Sequence, residues 1–216
     1  MHIPDGFLPP HVCIAGYALT GGVTWYSLRQ IKHDPYTQAN IPKASLLTAA
    51  FFVASLIHIP IPPTSVHLIL NGLMGAVLGY YAFPAILIGL FFQAVMFQHG
   101  GMSTLGVNAI ILGAPAIAAY HLFSQREHLS GKISEKRLLL TKVLSFAAGA
   151  GALLLSAIMF TILLVTHISP DMNVSAEQTA IFISLGSYAI QAAIEGVFSV
   201  MLISFLEQVK PELLKS

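Results

Sequence analysis

Apolar runs fill almost the whole chain, interrupted by short breaks rich in proline, glycine or charge. They extend over 11–31, 43–59, 66–81, 84–98, 104–123, 138–166 and 179–206. A helix crosses the hydrocarbon core, roughly 30 Å thick, with about 20 apolar residues. The pattern therefore predicts an all-α membrane protein with seven transmembrane helices, forming one domain over 1–216 behind an N-terminal arm of residues 1–10. The third and fourth runs read as two helices because Pro84, after the Tyr80-Tyr81 pair, breaks the pattern. A single helix over both would far exceed the core at about 1.5 Å per residue.

Charge placement supports the split. With seven spans and an outer N-terminus, Arg29, Lys32 and Lys43 share the inner side with Arg126, Lys132, Lys136, Arg137 and Lys142, and with Lys210 and Lys215 of the tail. That collects all ten Lys and Arg on one face, as cytoplasmic loops require. Six spans would put the 124–142 loop outside. The expected location is the cell membrane, crossed several times, with the N-terminus extracytoplasmic and folded into the core.

Composition agrees: 56% of the 216 residues are hydrophobic and 9% charged, and the mean hydropathy is +0.77. A net charge of +1 offers no basic field for nucleic acid. Cys13 is the only cysteine, so no multi-cysteine metal site exists. The sole Gly-Lys pair, Gly131-Lys132, lacks the other P-loop positions, so the chain does not hydrolyse ATP through that motif. Met1–Pro10 has no basic stretch of the kind that opens a secretory signal, and Met1 is taken as the terminus.

The opening Met1-His2-Ile3-Pro4-Asp5-Gly6-Phe7-Leu8 carries the chemistry. A free α-amine followed by His offers three nitrogens to one ion: the Met1 amine, the His2 backbone nitrogen and the His2 imidazole. Five- and six-membered chelate rings make the set nearly planar, which suits Ni(II) or Cu(II) rather than tetrahedral zinc. Pro4 and Asp5-Gly6 form a rigid turn, so this apolar arm is expected to fold back between helices. The alternative is a chance His at position 2.

His67 is the best candidate for the fourth ligand, at the head of a short third helix beneath the Pro60-Ile61-Pro62-Pro63 loop; the competing reading is an interfacial His bonded to a loop carbonyl. Asn71, four residues on and on the same helical face, would orient a ligand, and Gly75 with Gly79 would extend a stripe suited to close packing. The loop from His99-Gly100-Gly101 through Ser103 to Asn108 would cover the site with backbone and hydroxyl donors, unless it is only a tight turn. Glu195 is the one acid clearly inside a span, with Gln191 and Ser199 on its stripe. An intramembrane carboxylate is a functional candidate: a proton carrier, a hydrogen-bonded structural acid, or a group facing a partner subunit.

The octapeptide, His67, and Phe97-Gln98-His99-Gly100-Gly101 followed by Leu105-Gly106-Val107-Asn108 resemble the CbiM/NikM family across essentially the whole chain. These are the metal-binding membrane subunits of cobalt and nickel energy-coupling-factor importers. The resemblance implies seven transmembrane helices, an inserted N-terminus, and ligation by the Met1 amine, His2 and His67. It also implies Ni(II) or Co(II) as transported substrate, and a membrane scaffold subunit, cytoplasmic ATPases and a small accessory membrane subunit as partners. No enzyme activity is implied. The chain departs from the family pattern at Val66, Asn71 and His99, the last replacing a common acid. Ile-Pro-Asp-Gly looks more like the nickel branch. The alternative function is a stand-alone proton-coupled carrier built on Glu195; two related halves, usual in such carriers, are not visible.

Overall fold

The computed structural model describes residues 1–61, 64–129, 134–167 and 174–214. Seven α-helices occur among them: α1 Pro10–Lys32, α2 Thr37–Ala54, α3 Asn71–Leu78, α4 Ala82–Phe97, α5 Leu105–Leu129, α6 Ser134–Thr166 and α7 Val174–Val209. Strands β1 (His58–Ile61) and β2 (Thr64–His67) pair antiparallel, with His58 opposite His67. The chain is otherwise mostly helical, as expected; this short hairpin is a local departure, because Pro60 and its neighbours end the second apolar run in extended chain. Residues 62 and 63 of the proline loop lie outside the described residues, as do parts of the 124–142 and 167–177 loops.

Among the described residues, four stretches are long and apolar enough to cross a membrane: Asn71–Phe97, Leu105–Arg126, Leu138–Thr166 and Glu177–Val209. Asn71–Phe97 is not a straight rod. A continuous helix of that length would hold its ends about 40 Å apart, yet the Nε2 atoms of His67 and His99, which flank it, are 3.4 Å apart. The chain reverses at Gly79, whose φ of 59° suits glycine. Pro84 instead lies in the first turn of α4, where a missing N–H costs little. The third run is thus an eight-residue helix plus the 3₁₀ turn Gly79–Tyr81, and its N-terminal part is strand followed by irregular chain in which Leu70 is left-handed, with φ of 57°.

The bundle is apolar outside and polar within, as lipid demands. Ile14, Trp25, Leu46, Leu139 and Met201 face outward, while Asn71, Gln93, Ser156, Gln191 and Glu195 are buried. Close backbone packing holds α3 centrally: a Cβ on Gly75 would collide with the Ala116 carbonyl of α5, and one on Gly72 with the Ala148 carbonyl of α6. Gly106 of α5 likewise rests against Gly16 and Tyr17 of α1, and Thr20 donates to the Gly106 carbonyl at 2.7 Å.

Basic side chains among the described residues mark the far end. Lys43 and Arg126 both donate to the C-terminal turn, at Leu213 and Leu214. Asp34, just beyond α1, accepts from Tyr81 in the α3–α4 reversal. His2, His67 and His99 lie together at the opposite end.

Candidate metal centre

The arm does fold back. Met1, Ile3 and Leu8 are buried in the main apolar core, Ile3 completely. A buried peptide must have its polar groups satisfied, and α5 supplies the partners. Asn108 accepts from the Ile3 N–H at 2.9 Å and donates to the Ile3 carbonyl at 3.0 Å; Thr104 donates to the same carbonyl at 2.6 Å. Asp5 accepts from the Met102 and Ser103 N–H groups at 3.1 and 2.8 Å and from the Ser103 hydroxyl, a carboxylate placed at the start of α5 where the helix dipole favours it. These bonds, the Ser103 hydroxyl first, hold its pKa below the usual range.

Gly100 and Gly101 make the cradle. Gly100 has φ of 87° and lies against His2 and Asn108, while a Cβ on Gly101 would strike the Asp5 carboxylate and backbone. The loop thus covers the arm as its sequence suggested, with Ser103 and Asn108 gripping arm residues.

This docking places His2, His67 and His99 together, each offering a nitrogen within 4.8 Å of the others. The His2 and His67 ring centroids are 5.2 Å apart and those of His2 and His99 4.4 Å. His67 Nδ1 lies 3.3 Å from the Leu68 carbonyl. Donation there leaves the Nε2 lone pair aimed at the cluster, the orientation a second hydrogen bond gives many metal-binding histidines. The two readings of His67, loop-bonded and ligand-like, are therefore compatible.

Burial sets the protonation. It drives the Met1 amine from 8.0 to about 5, against an upward pull from the Glu195 carboxylate. The His2 imidazole is pushed well below its usual value, first by burial, then by the charges of the Met1 amine, His67 and His99, with Gln93 opposing. Neither His2 ring nitrogen has a hydrogen-bond partner of ordinary geometry among the described residues, and the neighbouring Gln93 Oε1 is also unpaired. Buried polar atoms left open in this way call for a ligand.

Asn71 does not reach this cluster, contrary to expectation. The helix starts at Asn71, so His67 on β2 shares no helical face with it; Asn71 instead donates to the Leu112 carbonyl at 3.0 Å and to Ser156 Oγ at 2.9 Å, tying α3 to α5 and α6. The residues that hold His67 come from α7 and were not assigned this task from sequence. Glu195 accepts from the Ile69 and Leu70 N–H groups at 2.6 and 2.9 Å and from Gln191 at 3.0 Å. Gln191 also donates to the His67 carbonyl at 2.6 Å. The signal available was the Gln191/Glu195 spacing on one helical face; its target 125 residues away was not readable.

A family model described as the cobalt uptake substrate-specific transmembrane region matches residues 2–213. The chain belongs to the CbiM family. Its members are similar to this chain along different lengths. A Haemophilus influenzae protein named "Putative metal transport protein" is 38% identical over 151 residues, 70% of each chain. The "Fused nickel transport protein NikMN" of Rhodobacter capsulatus is 33% identical over 165 residues, 74% of this chain but 47% of that longer protein. A crystal structure titled as a transition metal transporter superposes with a TM-score of 0.74 at 22% identity, covering 97% of this chain and 93% of the other, which establishes the shared fold. With its membrane-length apolar helices, this CbiM-family chain is a multi-pass cobalt or nickel transport protein.

Proposed function

We infer that the chain is the metal-capturing subunit of an energy-coupling-factor importer in the cell membrane. It takes up Ni(II) or Co(II) from the outer side with the Met1 amine, the His2 backbone and imidazole nitrogens, and His67. One observation carries this reading: the docked arm brings His2, with both ring nitrogens open, to His67 and His99, each offering a nitrogen within 4.8 Å of the others, at the end of the bundle away from Lys43 and Arg126. Neutral lone pairs bind an ion without first losing protons; only the His2 amide must deprotonate. The positive-inside tendency puts this end outside. A scaffold subunit, ATPases and an accessory membrane subunit complete the importer, in keeping with relatives named as fusions, NikMN and CbiMQ, and with the missing P-loop. Ile-Pro-Asp-Gly favours nickel.

Glu195 is engaged by three donors at the head of α3, which favours a positioning role over a proton carrier. The test is calorimetric titration of Ni(II) into protein with its native terminus and into protein retaining a short N-terminal extension. The native form binds one ion; the extension turns the amine into an amide and abolishes binding. Near-normal affinity in the extended protein would refute the terminal chelate.

A further inference from the structure

His99 stands in a different relation to the cluster from the other two histidines. The His2 and His67 rings are inclined by only 31°. The His99 ring is nearly perpendicular to both, at 77° to His2 and 79° to His67. Within the terminal chelate the six-membered ring holds the His2 imidazole close to the coordination plane. A ligand approaching along the normal to that plane has a ring containing the normal, and so stands edge-on to the plane.

Separation points the same way. At metal–nitrogen bonds of about 2.0–2.1 Å, two ligands at right angles are about 2.9 Å apart and two opposite ones about 4.1 Å. The His67 and His99 Nε2 atoms, at 3.4 Å, are nearer the right-angle value, and an apical ligand is at right angles to every ligand in the plane. Gly100 makes the approach possible: its positive φ turns the chain so that the loop lies directly on His2.

The geometry points to His99 as an apical fifth ligand that widens the site from Ni(II) to Co(II). This rests on the capture reading above. Square-planar Ni(II) has a filled orbital along the normal and gains little from an apical donor. Low-spin Co(II) has one electron there and gains a bond. His99 binds as a neutral imidazole and no electron is transferred, so the selectivity comes from one added coordinate bond.

The experiment is anaerobic electron paramagnetic resonance of the native-terminus protein loaded with Co(II), together with titrations of Co(II) and Ni(II). One apical nitrogen splits the signal into a triplet, and labelling the protein with ¹⁵N-histidine turns each triplet into a doublet. His99→Ala should lose the splitting, with exogenous imidazole restoring it. The substitution should weaken Co(II) at least as much as the about 10- to 100-fold typical of an outer partner, and Ni(II) by less than about threefold. An unsplit signal in the labelled and unlabelled protein would overturn the inference even if His99→Ala failed to fold; so would equal losses for both metals. Absence of binding by either metal to the native protein would overturn the capture reading itself, and this inference with it.

Discussion

Asn108→Leu tests whether arm docking limits metal capture. Asn108 touches no candidate ligand, yet its amide answers both polar groups of the Ile3 peptide. Leucine of similar size keeps the packing and removes both bonds. The Ile3 carbonyl still has Thr104, so the principal loss is the buried Ile3 N–H, left without its acceptor in a residue with no exposure. An orphaned buried donor costs about 1–3 kcal/mol, or about 5- to 150-fold in an equilibrium constant. Apparent affinity scales with the fraction of molecules whose arm is docked, so Ni(II) binding should weaken by up to that factor once docking becomes unfavourable. Calorimetric titration in detergent gives the affinity, and the absorption spectrum at saturating Ni(II) should match wild type, since the ligands are untouched. Thr104→Val in the same background should deepen the loss. Wild-type affinity in the double variant would refute the reasoning and make the arm a self-sufficient chelate indifferent to its cradle. A changed saturated spectrum would show that Asn108 shapes the ligand set directly.

Glu195→Gln should weaken Ni(II) binding by about 5- to 150-fold, from the loss of an acceptor for Ile69 or Leu70 at about 1–3 kcal/mol; unchanged binding with abolished import by the assembled transporter would make it a proton carrier. Because the amine pKa is lowered to about 5 and that of His2 is pushed well below its usual value, both remain neutral as pH falls from 8 to 7. Affinity should then drop about tenfold per unit from the His2 amide proton alone, and a drop near a hundredfold per unit would show an ordinary exposed amine. In a Cys13→Ser background, Met102→Cys and Lys210→Cys should react with an impermeant thiol reagent from opposite sides of the membrane; same-side labelling would refute the outward-facing site.

Much of this architecture was present in local chemistry. The membrane class follows from composition, since a chain with so few charges has no soluble surface to make. An apolar segment punctuated by Pro4 and Asp5-Gly6 has little reason to stay in water, and Ile3 and Leu8 indeed complete the core. The His99-Gly100-Gly101 loop was marked by glycines whose missing side chains let it lie on the arm. These features depend on residues within a few positions of one another, or on totals over the chain.

What the sequence could not carry was direction and distant pairing. An apolar run does not say where a helix starts, so the extended chain through His67 was read as a helical turn and Asn71 was placed on its face. The backbone pairing of β1 with β2, and the Glu195 carboxylate at the Ile69 and Leu70 amides, decided otherwise. Ring orientation at His99 depends on where two loops and an arm converge, and no periodicity encodes it. The sequence alone determined the medium and the inserted arm, and offered the donor set on which the capture proposal is built, because solvation and donor spacing act locally. The tertiary structure alone decided which buried polar groups meet, because each such group takes whichever partner packing brings within hydrogen-bond reach.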